Sequence, residues 1–181
     1  MTPAATPPTR PVRVVLMGVS GCGKSTVGAS LASHLGWRFM EGDSLHPPEN
    51  VAKMAAGQPL DDQDRAGWLG TLADQLAQAR VAGQGLVVSC SALKRAYRDR
   101  LRAGDADTLF VHLDGSRDVI AARLAARQHL YMPPSLLDSQ FGALQVPDPD
   151  EAALSLSVQL PPDQLIQAIA QHLQAKACTT T

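Results

Sequence analysis

The segment GVSGCGKS, residues 18–25, constrains the fold of this chain more than any other part of the sequence. It matches the pattern G-x-x-x-x-G-K-S/T, follows the apolar run VRVVLM and precedes KSTVGASLASHLG, in which apolar residues recur at helical spacing. A short continuous run of β-branched and other apolar residues is typical of a strand buried on both faces. The segment therefore predicts a strand, a glycine-rich loop and a helix in succession, which is the repeating unit of parallel sheets.

Strand-like and helix-like segments alternate along the rest of the chain. Further strands are predicted at WRFM, GLVVSC, TLFVHL and LSLSV, and helices at PENVAKMAAG, DDQDRAGWLGTLADQLAQARVAG, LKRAYRDRLR, SRDVIAARLAARQ, SLLDSQFGAL and PDQLIQAIAQHLQAKA. Repeated alternation of this kind predicts an α/β fold class with three layers, in which helices cover both faces of a five-stranded parallel sheet. A chain of 181 residues with 45% hydrophobic content has enough material for one core and too little for two.

The domain limits follow from composition. Residues 1–11 are rich in threonine and proline, which predicts a flexible leader, residues 12–176 form the single predicted domain, and residues 177–181 are a frayed tail. No apolar run approaches the roughly 18 to 20 residues that span a bilayer, and the first residues lack the pattern of a secretion signal. We therefore expect a cytoplasmic protein.

Charge and cysteine content exclude several classes of partner. The formal net charge is -1 and the basic residues are spread along the chain, so neither nucleic acid nor an anionic membrane is expected as a partner. A small molecule is the expected partner. A zinc site or a disulfide framework is not expected either, because the three cysteines stand apart from one another at Cys22, Cys90 and Cys178.

The glycine-rich loop has the residues of a phosphate-binding site. Its backbone N–H groups and the positive end of the following helix together attract polyphosphate. Lys24 is expected to reach the β- and γ-phosphates, and Ser25 to place its hydroxyl on Mg²⁺. The predicted nucleotide contacts are Gly18, Val19, Ser20, Gly21, Cys22, Gly23, Lys24, Ser25 and Thr26. No N-K-x-D guanine signature occurs in the sequence, so ATP is the expected nucleotide, but the loop alone does not separate a kinase from an ATPase or a switch.

A second polar cluster, EGDSLH, follows the second predicted strand. In open α/β sheets, ligands bind beyond the carboxyl ends of the strands, so these side chains are expected to face the nucleotide. Asp43 would then accept a proton from an attacking hydroxyl group or orient that group, and Glu41 would hold Mg²⁺ through water. Asp43 is equally suited to capping a helix or a turn, and the spacing alone leaves both roles open.

The sequence resembles the thermoresistant gluconokinase family from Val12 to the closing helix. The resemblance lies in LMGVSGCGKST, EGDSLHPPENVAKMAAGQPLDDQDRAGWL, CSALKRAYRDRLR and LLDSQFGALQVP, which occur in the family's order and spacing. It implies a P-loop fold similar to shikimate and adenylate kinases, with ATP-dependent phosphorylation of D-gluconate to 6-phosphogluconate by a cytoplasmic homodimer. A shikimate- or nucleotide-type kinase should lack GDSLHPPEN and CSALK. A third alternative is a switch that binds nucleotide without turnover.

The resemblance also implies the residues that bind the sugar acid. Gluconate carries a carboxylate and a row of hydroxyls, so its pocket needs cations together with hydrogen-bond donors and acceptors. Lys94 and Arg98 are four residues apart on a predicted helix and so share a face. For each basic residue the alternative is a solvated charge or a weak ion pair, and His46 could cap a turn. The implied contacts are Asp43, His46, Lys53, Arg65, Lys94 and Arg98, completed by His129, Asp138 and Gln140.

The segment from about residue 123 to 136 looks like the small lid of the family. Arg123 and Arg127 are four residues apart on one predicted helical face, and a lid arginine over the γ-phosphate would stabilise the transferring charge. Arg123 is the first candidate, whereas Arg127 could equally be an exposed helical charge. The chain departs from the family where RQHLYM replaces a glycine-histidine-phenylalanine run and where Gln145 replaces a glutamate. In addition, the third strand ends in SCS, without an aspartate that could bind a metal.

Overall fold

A five-stranded parallel sheet lies at the centre of the computed structural model, which describes residues 10–126 and 134–179. The strands stand in the order β2-β3-β1-β4-β5, and each neighbouring pair is parallel. This arrangement confirms the predicted fold class. The strands are β1 (Arg13–Met17), β2 (Arg38–Glu41), β3 (Leu86–Ser89), β4 (Leu109–Asp114) and β5 (Leu154–Ser157).

Helices cover both faces of the sheet. They are α1 (Lys24–Leu35), α2 (Pro48–Ala55), α3 (Asp62–Val81), α4 (Arg95–Arg102), α5 (Arg117–Ala125), α6 (Pro134–Ala143) and α7 (Pro162–Thr179). Two 3₁₀ helices, Gly42–Leu45 and Pro149–Glu151, were not predicted, because such short segments carry no measurable periodicity. No helix in the described ranges is long and apolar enough to cross a bilayer.

The first strand shows why an apolar run becomes the centre of this sheet. All five of its residues are buried. Val14 and Leu16 pack in the cluster that includes α1 and α7, whereas Val15 and Met17 pack in the cluster that includes α3. Each fully buried side chain of this size contributes about 1.5–3 kcal/mol. A strand that is apolar on both faces is therefore stable only between two helical layers.

The strand order brings three loops to one edge of the sheet. Ser89 of β3 lies beside Leu16 of β1 on one side and beside Glu41 of β2 on the other. Because the three strands are parallel, their carboxyl ends lie together. The Gly18 N–H group also donates to the Ser91 carbonyl oxygen over 3.2 Å, which joins the loop after β1 to the loop after β3. The candidate site is built at this edge.

Candidate active site

The loop between β1 and α1 has a backbone that glycine makes possible. Gly18, Gly21 and Gly23 have φ angles of 140°, 85° and 100°, which L-amino acids with side chains rarely adopt. A Cβ atom on Gly18 would also lie 2.8 Å from the Cys22 sulfur. The ammonium of Lys24 donates to the carbonyl oxygens of Gly18 and Val19, each over 3.0 Å, so the charge is held at the loop.

The 3₁₀ turn after β2 is fixed from two sides. A side chain at Gly42 would overlap the carbonyl oxygen of Ser89, so the turn can approach β3 only with glycine at this position. The Gly42 N–H group donates to the Ser89 hydroxyl over 3.2 Å, and the Trp68 indole donates to the Gly42 carbonyl over 2.8 Å. Asp43, the next residue, is exposed and lines a cavity. Helix α2 begins after Pro47 without a side-chain cap, so Asp43 does not cap it.

His46 forms the wall of the cavity behind Asp43. Its ring is buried and stacks on Trp68 with 4.0 Å between ring centroids. The Asn50 amide nitrogen donates to the Asp64 carbonyl over 2.8 Å and lies 3.3 Å from His46 Nδ1, so this ring nitrogen is the acceptor. The neutral ring then carries its proton on Nε2. Burial lowers the pKa of His46, against the opposing charge of Asp43, and keeps the ring neutral at pH 7.

A cavity of about 770 Å³ joins these parts. Ser20 and Lys24 line it from the phosphate loop. The remaining wall comes from α2, α3, α4 and α6 and from the loops that follow β2, α2 and β3. Of the predicted contacts with the acid, the structure brings together five on this wall. They are Asp43, His46, Arg65, Lys94 and Gln140.

Two basic groups of the cavity differ in how their charge is balanced. Lys94 lies 2.6 Å from the Asp62 carboxylate, which also accepts a hydrogen bond from the Tyr97 hydroxyl. Arg65 donates weakly to the Leu60 carbonyl over 3.4 Å, and its guanidinium carbon lies 5.7 Å from the centre of the Tyr97 ring. Within the described part of the chain, Arg65 forms no ion pair. Its charge is therefore available to an anionic ligand.

Glu41 and Ser25 are the candidate groups for a metal ion. The Glu41 carboxylate accepts a hydrogen bond from the Ser89 hydroxyl, which orients it at the edge of the sheet. Ser25 is exposed in the first turn of α1. Over the described ranges, no three His, Cys, Asp or Glu side chains lie together as a metal site. A few oxygen ligands beside a phosphate site are typical of Mg²⁺, which keeps water and phosphate ligands, so this donor set suits that ion.

The predicted contact of Arg98 with the acid is wrong. Arg98 is fully buried, and its guanidinium binds both oxygens of Glu151 over 2.6 and 2.7 Å. It also donates to the carbonyls of Ala92 and Leu93 over 3.1 and 3.2 Å. With four of its five N–H donors engaged and its side chain fully buried, Arg98 is not accessible to a ligand. It shapes the loop after β3, where Leu93 lines the cavity and Ala92 has a φ of 43°.

Lys53 is likewise absent from the cavity wall, although its neighbour Met54 lines it. The Lys53 ammonium lies 2.5 Å from the Asp64 carboxylate. Asp64 also forms a reciprocal capping box with Asp61 at the start of α3. The structure therefore supports the ion-pair alternative for Lys53 and corrects its prediction as a contact with the acid.

The predicted lid residues, and Asp138 as an implied contact of the acid, lie in three different situations. Arg123 is half-buried and donates to the Val158 carbonyl over 2.5 Å, so in this structure it attaches α5 to the end of β5 and does not line the cavity. Arg127 and His129 lie outside the described residues. Asp138 forms an exposed ion pair with Arg117 over 2.6 Å and does not line the cavity either, which corrects its prediction.

Sequence reasoning missed two features of the site. The first is the cluster that Tyr97 and Asp62 form around Lys94. Tyr97 follows Lys94 by three residues, and that spacing could have indicated that their side chains are neighbours. The second feature is the contact of Gln140 with the Ser20 backbone N–H over 2.6 Å. No sequence pattern signals that contact, because 120 residues separate its partners.

A phosphate loop at the carboxyl edge of this parallel sheet, facing a cavity with a carboxylate and an unpaired guanidinium, defines a P-loop small-molecule kinase. A sequence model of the family described as "Shikimate kinase" matches residues 20–143. The gluconokinase of Gluconobacter oxydans is 49% identical over 167 residues, which cover 92% of this chain and 94% of that protein. The thermoresistant gluconokinase of Escherichia coli is 41% identical over 166 residues, covering 92% and 89% of the two chains.

The solved structures agree. The crystal structure of a gluconokinase from Sinorhizobium meliloti superimposes with a TM-score of 0.85 at 42% identity, covering 94% of this chain and 95% of that one. The identity and the shared length place the chain in the gluconokinase family. The protein is therefore an enzyme of the kinase class, and the predicted family resemblance is confirmed.

Proposed function

We propose that this enzyme transfers the γ-phosphoryl group of ATP to the 6-hydroxyl of D-gluconate, with Mg²⁺ as the metal ion. The observation that carries the proposal is one cavity that joins Lys24, the carboxylate of Asp43 and the unpaired guanidinium of Arg65. The relatives named gluconokinase support gluconate as the acid.

The chemistry of transfer follows from the residues near the phosphate loop. Asp43 accepts the proton of the acceptor hydroxyl, whose oxygen then bonds to the γ-phosphorus. The bond from that phosphorus to the β–γ bridging oxygen breaks, and ADP leaves with the electron pair. Lys24 offsets the negative charge that develops on the phosphate oxygens. The Lys24 ammonium is already held at the loop carbonyls, so this charge lies at the phosphate loop before nucleotide binds.

The acid is recognised by groups of complementary chemistry. Arg65 binds the gluconate carboxylate through its planar pair of N–H donors. His46 donates from Nε2 to a hydroxyl oxygen, since its Nδ1 is occupied by Asn50. The paired Lys94 and Asp62 present a donor and an acceptor to further hydroxyls. The carboxylate and the reacting hydroxyl thus occupy separate subsites, which selects for the length of the acid.

The metal ion has two candidate ligands from this chain. Ser25 would bind Mg²⁺ directly through its hydroxyl, and Glu41 would bind it through water. When bound, the ion neutralises charge on the β- and γ-phosphate oxygens. The Ser89 hydroxyl donates to the Glu41 carboxylate, which supports this proposal by limiting the orientations of that carboxylate.

Several wider features remain predictions. The single domain over residues 12–176 and the cytoplasmic location are expected from composition, and the homodimer and the lid over about 123–136 from the family resemblance. The roles of Arg127 and His129 in that lid belong with them, as does closure of Arg123 over the γ-phosphate.

A coupled assay of ADP release tests the proposed function. The purified enzyme is given ATP, Mg²⁺ and, in separate reactions, gluconate, shikimate, a nucleoside monophosphate or buffer. Gluconate should stimulate ADP release far above buffer, with 6-phosphogluconate as the product. Stimulation by shikimate or by the nucleotide, with gluconate at the buffer rate, would reject the proposal, and nucleotide binding without stimulation by any acid would favour the switch.

A further inference from the structure

The side chain of Gln140 is hydrogen-bonded to a backbone N–H group of the phosphate loop. Its Oε1 accepts a hydrogen bond of 2.6 Å from the backbone N–H of Ser20. Backbone N–H groups of such loops bind phosphate oxygens when nucleotide is present. Ser20 and Lys24 are the residues of the loop that line the cavity, so this N–H lies where the nucleotide site meets the acceptor site.

The orientation of the Gln140 amide follows from hydrogen-bond chemistry. A backbone N–H can only donate, so the atom that faces Ser20 is the carbonyl oxygen. The NH₂ group then remains for other partners, and Gln140 lines the cavity. While the bond to Ser20 persists, one lone pair of the carbonyl oxygen is occupied, and the NH₂ donors take no part in that bond.

Helix α6 holds this side chain in place from both directions. The Arg117–Asp138 ion pair of 2.6 Å attaches α6 to α5. Just after α6, the Gln145 N–H donates to the Leu93 carbonyl over 2.8 Å, which attaches the chain to the loop after β3. Gln140 can therefore leave the Ser20 N–H by a change of side-chain rotamer, without displacement of the helix backbone.

We propose that the Gln140 side chain couples the two substrate sites. Without nucleotide, its carbonyl oxygen holds the Ser20 N–H in place of a phosphate oxygen. A nucleotide phosphate displaces it, and the freed amide then offers both its carbonyl and its NH₂ group to hydroxyls of the sugar acid. This inference rests on the proposed function, because it needs nucleotide in the loop and a polyhydroxy acid in the cavity.

The coupling between nucleotide binding and acid binding must be reciprocal. An acid that binds the freed amide removes the competitor for the Ser20 N–H, so each ligand raises the affinity of the other by the same factor. One hydrogen bond of ordinary net strength corresponds to a factor of about 3 to 10.

Calorimetric titration with a non-hydrolysable ATP analogue, with and without saturating gluconate, tests this coupling. The wild-type enzyme should bind the analogue about 3- to 10-fold more tightly when gluconate is present. Gln140→Met removes the competing acceptor, so without gluconate the analogue should bind at least as tightly as to wild type. The effect of gluconate should disappear in that variant.

Gln140→Glu should act in the opposite direction. A carboxylate binds the Ser20 N–H more strongly than an amide oxygen and repels phosphate, so affinity for the analogue should fall about tenfold or more. A purely structural role would weaken binding in both variants. If both variants weaken binding, if coupling persists in Gln140→Met, or if Gln140→Glu binds like wild type, the inference is overturned.

Gln145→Met is the matched control. Gln145 also accepts a backbone N–H with its side-chain oxygen, from Arg95 over 2.7 Å, but it does not line the cavity. Its replacement removes the same kind of bond and should leave both the affinity and the coupling within twofold of wild type. If the wild-type enzyme phosphorylates gluconate but the variants contradict these expectations, the inference alone is rejected. A wild-type enzyme that binds no nucleotide rejects the proposed function and the inference with it.

Discussion

At the scale of single residues, the candidate site depends on which charges are left unpaired. Arg65 and Arg98 were both predicted contacts of the acid, and only Arg65 reaches the cavity with its charge available. Arg98 is neutralised inside the protein by Glu151. The distinction is physical: a guanidinium whose donors are already bound has nothing to offer a carboxylate, whereas an unpaired one gains by binding it.

Replacement of the proposed base isolates the chemical step. Asp43→Asn should lower kcat by about 10²- to 10⁴-fold, because the amide cannot accept the hydroxyl proton. The Kd for ATP should change little, since Asp43 lies in the 3₁₀ turn after β2 and not in the phosphate loop. Steady-state kinetics combined with nucleotide titration measures both quantities, and unchanged turnover would remove Asp43 from the chemistry.

Arg65→Lys provides the matched contrast to that variant. Lysine retains the charge but loses the planar pair of donors, so the KM for gluconate should rise by about tenfold or more. The kcat at saturating gluconate should stay near that of wild type. A fall in kcat equal to that of Asp43→Asn would contradict separate subsites for the carboxylate and the reacting hydroxyl.

At the scale of elements, a buried ion pair connects α4 to the 3₁₀ helix that precedes β5. Glu151 accepts from Arg98 through both oxygens and also from Arg102 over 3.3 Å. The hydrogen bond from Arg98 is the main reason why the pKa of Glu151 falls from 4.5 to about 2. The loop after β3 therefore depends for its shape on a carboxylate more than fifty residues further along the chain.

The lowered pKa of Glu151 predicts how the stability of the fold depends on pH. The folded state prefers ionised Glu151, so its contribution of about 3 kcal/mol is complete above pH 4.5 and is lost as the pH falls towards 2. Glu151→Gln should cost about 3–5 kcal/mol at pH 7, because Arg98 is left buried and unpaired. In this variant the free energy of unfolding should also change less between pH 4.5 and 2 than in the wild type. Denaturant unfolding across that range measures the difference.

Asp150→Asn is the control for this prediction. Asp150 precedes Glu151 and pairs with Arg95 over 2.7 Å, but both side chains are largely exposed. Pairs of that kind contribute about 0–1 kcal/mol, so this variant should resemble wild type at pH 7. Equal losses in the two variants would show that burial of the Glu151 pair has no special effect.

At the scale of the whole molecule, the strand order creates the site. The neighbours of β1 are β3 and β4, which do not adjoin it in sequence, and β2 lies beyond β3. This order brings the phosphate loop, the Asp43 turn and the Ser91 loop to one edge. The proposed nucleotide contacts therefore depend on the packing of the sheet and its helices.

Nucleotide binding should accordingly stabilise the whole domain. At 100 times its Kd, ADP with Mg²⁺ should add about 2.7 kcal/mol, which raises Tm by roughly 5–10 °C for a domain of this size. Differential scanning calorimetry measures the shift. Lys24→Ala should lose most of it at the same ADP concentration, since the ammonium held at the loop is gone. Equal shifts in both proteins would contradict a nucleotide contact through Lys24.

The sequence alone determined the local structure and the class of chemistry. Apolar runs such as RVVLM, the glycine pattern of residues 18–25 and the motif around Asp43 act over short distances, so the sheet, the loop and the family were predicted correctly. The tertiary structure alone decided which polar side chains face the cavity. Arg98 forms an ion pair with Glu151, Lys53 forms one with Asp64, and Gln140 accepts a hydrogen bond from the Ser20 amide. These partners lie between 11 and 120 residues apart, and their pairing depends on distances in three dimensions that no linear pattern records.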